Sequence, residues 1–321
     1  AMERGLAIVG TAALTLVGCA ALKLVYILCK CADSRTASVK LPPGAYQGKV
    51  VWITGASSGL GKELSMQLGS MGAKLILTAR TVEALEELAV EIKAAGNQDA
   101  TVLPADMSKV ELLPGVVDKA LKLFGGIDVF VNNAGFTQRE LGVNTEFAVD
   151  VHMLNVNYLS GVCLTKALLP SMTARGGGSL INISSLAGKV GVPLRTAYCG
   201  SKHAMMGFFD ALRAEEFSRG SGIRVTNICP GSVRTNVARN AVQTKVGDLR
   251  KKSDNNIENG LDPTWVCERI LAAAHSGVDE SWIAGAKEMA LILMSQYLPV
   301  TAKGVLRKAA KGLIAQTLAD V

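Results

Sequence analysis

The chain has 321 residues, a net charge of +7 and 49% hydrophobic side chains. That supplies enough apolar material for one large α/β domain and excludes a disordered chain. Residues 1–40 and 286–321 hold +3 each and the 245 residues between them only +1, so the body lacks the basic stripe that nucleic-acid binding needs.

From Gly5 to Cys29 the chain is apolar except for Lys23 and a few small polar residues. As a helix this run reaches about 37 Å, longer than the roughly 30 Å hydrocarbon core of a bilayer. A cleaved secretory signal lacks a good cleavage site here, and the lipoprotein-like box Leu16-Val17-Gly18-Cys19 is followed by further apolar residues. Residues 1–30 are therefore expected to be a retained membrane anchor. Lys30, Arg35 and Lys40 follow the run while Glu3 offsets Arg4 before it, which places the body on the cytoplasmic side, as at the endoplasmic reticulum membrane. Residues 31–46, with Pro42-Pro43-Gly44, read as a linker.

Residues 47–285 then alternate short apolar runs with helical patterns. Strands are expected at Lys49–Thr54, Lys74–Thr78, Thr101–Leu103, Ile127–Val131, Leu180–Ser184 and Ile223–Cys229. Helices are expected at Leu60–Gly69, Thr81–Ala95, Pro114–Phe124, Asn144–Leu169 and Tyr198–Phe217. Buried strands separated by amphipathic helices specify an α/β fold, a Rossmann-type doubly wound parallel sheet in one catalytic domain. The seven cysteines are odd in number and irregularly spaced, and the three histidines are scattered. They form neither a disulfide framework nor a zinc site, and read as small packed residues in a reducing compartment. Cys199 falls under the same reading, although it adjoins Tyr198.

The first strand runs into Thr54-Gly55-Ala56-Ser57-Ser58-Gly59-Leu60-Gly61 and then into a helix. Glycines at this corner let backbone approach a pyrophosphate, and the helix amino-terminus offers it free N–H groups. Lys62 is followed by Glu63, so this is not a nucleoside-triphosphate loop. The second strand ends in Ala79-Arg80 with no acidic residue to bind a ribose hydroxyl. A guanidinium in that place favours a 2′-phosphate, hence NADP(H). Farther on, Tyr198 and Lys202 stand four apart on one helix face. A nearby ammonium favours the phenolate and suits the tyrosine to proton exchange with an alcohol or ketone oxygen.

TGASSGLG at 54–61, Asp106 after the third strand, NNAG at 132–135, Asn157 within NVNYLSG, Ser185, YCGSK at 198–202 and PGSVRT at 230–235 occur in this order. Together they resemble the short-chain dehydrogenase/reductase (SDR) family over about residues 46–285, and the two ends of the chain resemble its member 7 group. The resemblance implies catalysis by Ser185, Tyr198, Lys202 and Asn157, with Ser185 donating to the substrate oxygen and Asn157 holding a water that links Lys202 to solvent. It also implies a cofactor cleft lined by Asn132, Ala134 and Gly135, with Asp106 at the adenine and Pro230, Gly231, Val233 and Thr235 over the nicotinamide. Homodimers formed through the two long helices are the family's pattern.

Specificity is expected from a mobile, largely polar lid over Ser232–Pro263. The carboxy-terminal extension, 286–321, is apolar over Met289–Val300 and then sets Lys303, Arg307, Lys308 and Lys311 among apolar residues. It reads equally as a cationic helix on anionic lipid and as a helix packed on the body. A lipophilic substrate, a steroid, retinoid or fatty-chain carbonyl compound, suits both. The competing reading of the whole chain is a non-catalytic NADP(H)-binding scaffold or sensor at the membrane.

Overall fold

The computed structural model describes residues 18–19, 22–27, 30–97 and 99–319. Seven parallel strands stand in the order β3-β2-β1-β4-β5-β6-β7. They are β1 (Val50–Thr54), β2 (Lys74–Thr78), β3 (Ala100–Val102), β4 (Val129–Asn132), β5 (Gly178–Ile183), β6 (Ile223–Pro230) and β7 (Glu280–Ile283). The strand order reverses between β1 and β4, and in such sheets a crevice opens there at the carboxyl ends of the strands.

A short helix, α1 (Ser34–Ser38), precedes the sheet; α2 (Gly59–Ser70), α3 (Val82–Ala94) and α4 (Leu113–Leu123) follow the first three strands. The β1 strand is buried along its whole length, as a strand covered on both faces must be. One face of the sheet packs Leu64, Leu68, Leu85, Ile92 and Ile270. The other packs Trp52, Phe130, Leu164, Leu168 and Phe209, with the Trp52 indole N–H donating to Thr78 at 2.8 Å.

The long helix expected from Asn144 begins at Phe147 as α5 (Phe147–Leu154), because 142–144 form a separate 3₁₀ turn. It passes through a π-helical turn, Asn155–Leu159, before continuing as α6 (Ser160–Ala174). Such turns recur at functional sites, and this one carries Asn157. The helix bearing Tyr198 and Lys202, α7 (Thr196–Arg219), starts two residues earlier than the apolar pattern indicates and ends at Gly220 in the left-handed region.

Four elements were not expected: α1 above, and three near the carboxy-terminal edge of the sheet. The α9 helix (Pro263–His275) is capped by Asp262, whose carboxylate accepts from Thr264 and Trp265. The β7 strand is four residues long and half polar, too short for a periodicity signal. A short helix, α8 (Asn255–Glu258), precedes them within the expected lid.

The stretch read as a linker instead docks on the β7 edge. Asp33 accepts from the Trp282 N–H at 2.8 Å and caps α1, while the Ala284 N–H donates to Cys31. Ala32 pairs with Ile283. An edge strand otherwise leaves its N–H and C=O groups unpaired, and this segment covers them. Most of the expected anchor, residues 1–30, lies outside the described residues. Among the described residues no helix is long and apolar enough to cross a membrane.

In the carboxy-terminal extension, α10 (Ala286–Tyr297) packs on the body. Met289 and Ile292 are buried against Leu186, Met206 and Cys229, worth about 1.5–3 kcal/mol per side chain. The last helix, α11 (Pro299–Ala319), buries Ala302 and leaves Val300, Val305 and its four cations exposed.

Candidate active site

A cavity of about 640 Å³ opens at the carboxyl ends of the strands. Its floor is the first βα corner. Gly55 has φ +66 and faces Ala134 so closely that a Cβ would lie 2.9 Å from the Ala134 Cα. A Cβ on Gly61 would lie 2.1 Å from the Gly55 carbonyl oxygen. Glycine is thus required at both positions for the turn to close. Ser57, Ser58, Gly59 and Leu60 line the cavity above the amino-terminus of α2, where the free N–H groups and the dipole favour an anion. The Ser58 side chain makes no capping bond there.

Arg80 lies exposed at the rim. Asp106 is placed beyond it. Burial opposes its ionisation, but hydrogen bonds from Ser108 and the charges of Arg80 and His152 hold its carboxyl below the usual carboxylate range. His152 lines the same part of the cavity and stacks on Phe136 at 5.3 Å between ring centroids. It was not singled out in sequence, where a lone histidine on a helix carries no signal.

At the other end Ser185, Tyr198 and Lys202 line the cavity together. The Ser185 hydroxyl follows β5 and accepts from the Ala187 N–H at 3.1 Å. Lys202 is almost wholly buried; its Nζ donates to the Ile183 carbonyl at 2.8 Å and lies 6.0 Å from the centre of the Tyr198 ring. Burial pushes the Lys202 ammonium down to about 8.

Burial raises the Tyr198 hydroxyl, against a hydrogen bond from Ser185 and the charges of Arg195 and Arg139. The side-chain cations that lower it are those two arginines, whereas the sequence reading relied on Lys202 together with the positive nicotinamide of the cofactor. Burial likewise pushes up the Cys199 thiol, which leaves it unreactive.

Pro230, Gly231, Val233 and Thr235 line the cavity beside this group. Their turn is braced from the carboxy-terminal extension, where Glu288 accepts from the Ser232 hydroxyl at 2.7 Å and the Ser232 N–H at 3.0 Å. No local motif links residues 232 and 288, so sequence gave no sign of it.

Four expected site residues stand behind the cavity wall. Thr54 is buried, and its hydroxyl accepts from the N–H groups of Asn133 and Ala134 at 3.1 Å, fixing the turn after β4. Gly61 contacts the Gly55 carbonyl, as above. Asn157 accepts from the Phe136 N–H at 3.0 Å and donates to the Phe136 carbonyl at 2.9 Å and to Ser201 at 3.0 Å.

Asn132, expected in the cleft, points into the sheet. It donates to Asn182, which donates to Asn227, which donates to Asp210. This buried amide ladder satisfies polar groups across β4, β5 and β6. Strand alternation turns the neighbour, Asn133, to the cavity with Ala134 and Gly135.

On the remaining side the cavity is mainly apolar, with Phe136, Val237, Val242, Val246, Leu249 and Ile257 interrupted by Asn236 and Asn240. The segment expected as a mobile lid is latched. Arg139, nearly buried, pairs with Asp254 at 3.1 Å, and Arg250 reaches the same carboxylate at 3.4 Å.

The site fits a nicotinamide dinucleotide. Its glycine corner leaves no room for a Cβ, and the cavity runs unbroken from Arg80 to Tyr198. The buried Ser184 hydroxyl in its wall has no hydrogen-bond partner.

Comparison with known proteins agrees with this geometry. The short chain dehydrogenase family profile matches residues 49–246. The chain is similar to the human Dehydrogenase/reductase SDR family member 7, 38% identical over 82% of this chain and 78% of that protein. It is also similar to the Drosophila melanogaster Dehydrogenase/reductase SDR family protein 7-like, 41% identical over 70% of this chain and 69% of that one. Among solved structures it resembles a metagenomic short-chain oxidoreductase in complex with NADP, with TM-score 0.61, 29% identity and coverage of 74% and 96% of the two chains. A Burkholderia phymatum short chain dehydrogenase/reductase in complex with NAD shares the fold, with TM-score 0.71, 22% identity and coverage of 78% and 94%. The ordered motifs, the reversed sheet and the relatives converge, and the chain belongs to the short-chain dehydrogenase/reductase family.

Proposed function

We propose that the protein is an NADP(H)-dependent oxidoreductase that interconverts a ketone or aldehyde with an alcohol on a lipophilic substrate. The observation that carries this reading is the convergence of Ser185, Tyr198 and Lys202 on a cavity that is cationic at Arg80 and apolar around Val242, Leu249 and Ile257.

The dinucleotide supplies or accepts the hydride. Gly55, Ser57, Ser58, Gly59 and Leu60 hold the pyrophosphate, and Arg80 pairs with the 2′-phosphate, for which it is free of any protein ion pair within the described residues. Asp106 is placed for the adenine. Ala134, Gly135, Pro230, Gly231, Val233 and Thr235 shape the rest of the cleft.

Tyr198 passes a proton to the oxygen of the forming alcohol, or takes it in the reverse direction. Ser185 donates to the same oxygen. Lys202 carries the replacement proton, and Asn157 fixes the Phe136 loop beside it. The apolar wall excludes water and favours a steroid, retinoid or fatty-chain carbonyl compound. A panel of these with NADPH and NADH in detergent tests the reading; binding of NADPH without turnover of any ketone would favour the scaffold instead.

The same reading places the protein at the endoplasmic reticulum membrane, held by residues 1–30 with its body on the cytoplasmic side. Exposed Val300 and Val305 among Lys303, Arg307, Lys308 and Lys311 support a second contact of α11 with anionic lipid. Protease protection in sealed membranes tests the orientation. Exposed Phe147, Val151 and Leu154 on α5, Leu159 on the π-helical turn after it and Phe217 on α7 suit a homodimer, which light scattering of a Phe217→Glu variant tests.

A further inference from the structure

The helix that carries Tyr198 has no cap of its own. Arg195 occupies the N-cap position, and its side chain makes no capping bond. A helix start leaves unsatisfied N–H groups, and here another segment satisfies one of them. The side chain of Gln138, wholly buried on the loop after β4, supplies the acceptor. Its Oε1 accepts from the Ala197 N–H at 2.9 Å and from the Thr196 hydroxyl at 3.4 Å. Its Nε2 donates to the Thr145 hydroxyl at 2.7 Å. The residue is not in contact with the cavity.

The same loop steadies the entry to the helix. Leu194 has φ +64, a left-handed conformation in a residue that is not glycine, which is strained and needs support from its surroundings. The Glu140 N–H donates to the Leu194 carbonyl at 3.1 Å. Tyr198 follows within the first turn of α7.

On its other side the loop holds the substrate segment. The Val242 N–H donates to the Thr137 carbonyl at 2.9 Å, and the Arg139 N–H donates to the Val242 carbonyl at 3.0 Å. Val242 in turn packs with Ala197, Phe136 and Tyr198. One loop therefore joins the catalytic helix to the segment that closes the apolar wall.

We infer that Gln138 is a positioning residue for Tyr198, and that it couples the first turn of α7 to closure of residues 238–254 over the substrate. The inference rests on the oxidoreductase reading above for its kinetic part only. Hydrogen exchange tests the coupling without a substrate. Gln138→Met keeps the shape and removes the cap, whereas Gln138→Glu, held neutral by burial at mildly acid pH, keeps the acceptor and an O–H donor to Thr145.

In the full chain in detergent, Q138M is expected to speed exchange in peptides covering 194–202 and 238–254 together, with the β1 peptide unchanged and Q138E near wild type. With NADPH and a steroid, retinal or aliphatic ketone that the wild-type chain reduces, Q138M should lower kcat about tenfold, the scale of one lost hydrogen bond at a positioned group. NADPH affinity should stay within about twofold, and Q138E should restore kcat.

Exchange that rises in only one of the two peptides overturns the coupling. A kcat unchanged in Q138M, or falling in step with cofactor affinity in both variants, overturns positioning. If Q138M does not fold, Q138E decides: a tenfold fall in its kcat at unchanged thermal stability and unchanged NADPH affinity overturns the assignment. A wild-type chain that reduces no carbonyl compound counts against the proposed activity and leaves the exchange result to judge the coupling.

Discussion

The wall of the cavity from Gly55 to Asp106 comes from three consecutive βα corners, while the wall around Phe136, Val242, Leu249 and Ile257 joins segments about 120 residues apart. The first wall is set by local rules: a glycine turn, a helix amino-terminus and a charged residue at a strand end. The second is held by long-range bonds, chiefly Arg139 to Asp254 and the backbone of Thr137 and Arg139 to Val242. The first wall is thus set mainly by local pattern and the second mainly by contacts between distant loops.

Substitutions that act on chemistry, on the second wall and on the first should separate in size and in kind. Apart from the loss of Tyr198 itself, the largest effect is expected from Ser185→Ala, which removes a donor at the reacting oxygen and should lower kcat on the order of 10²-fold, read in steady-state ketone reduction. Asp254→Ala leaves Arg139 buried without its carboxylate and should cost about 3 kcal/mol. It should raise KM for substrate and lower Tm, with NADPH binding little changed. If it weakened NADPH binding as much as substrate binding, the two walls would not be independent.

Arg80→Ala belongs to the first wall. It should raise KM for NADPH by about tenfold, one charge-assisted contact, and leave NADH use and substrate KM alone. Equal use of both cofactors by the wild-type chain would break the assignment of Arg80.

Smaller and graded effects come from pH. Lys202 loses its proton near 8, so ketone reduction should fall as pH rises through about 8. Asp254 has its pKa lowered: burial opposes ionisation, but the Arg139 charge and hydrogen bonds from Ile257 and Arg139 prevail. A depressed carboxyl contributes stability that is present above its unfolded value, about 3.9, and lost as pH falls through the folded one. Acid denaturation of Asp254→Ala should accordingly show a weaker pH dependence than the wild type.

The same division explains what the sequence made legible. Six strands and five helices follow from apolar runs and periodicity within single segments, and so do the glycine corner, Arg80 and the Tyr198–Lys202 spacing. The β7 strand escaped because four half-polar residues carry no period. The latch, the Glu288 brace and the Gln138 cap escaped because each joins residues with no local pattern. Asn132 was placed in the cleft by motif position, whereas strand alternation gives that place to Asn133.

The central claim, that this cavity reduces lipophilic carbonyl compounds with NADPH through Tyr198, is tested most directly by comparing the wild-type chain with Tyr198→Phe in detergent against steroid, retinal and aliphatic ketone substrates. The expected result is turnover by the wild type and a fall of about 10²-fold or more in Tyr198→Phe, with NADPH affinity retained. Equal rates in the two proteins, or NADPH binding with no carbonyl reduced by either, would contradict it.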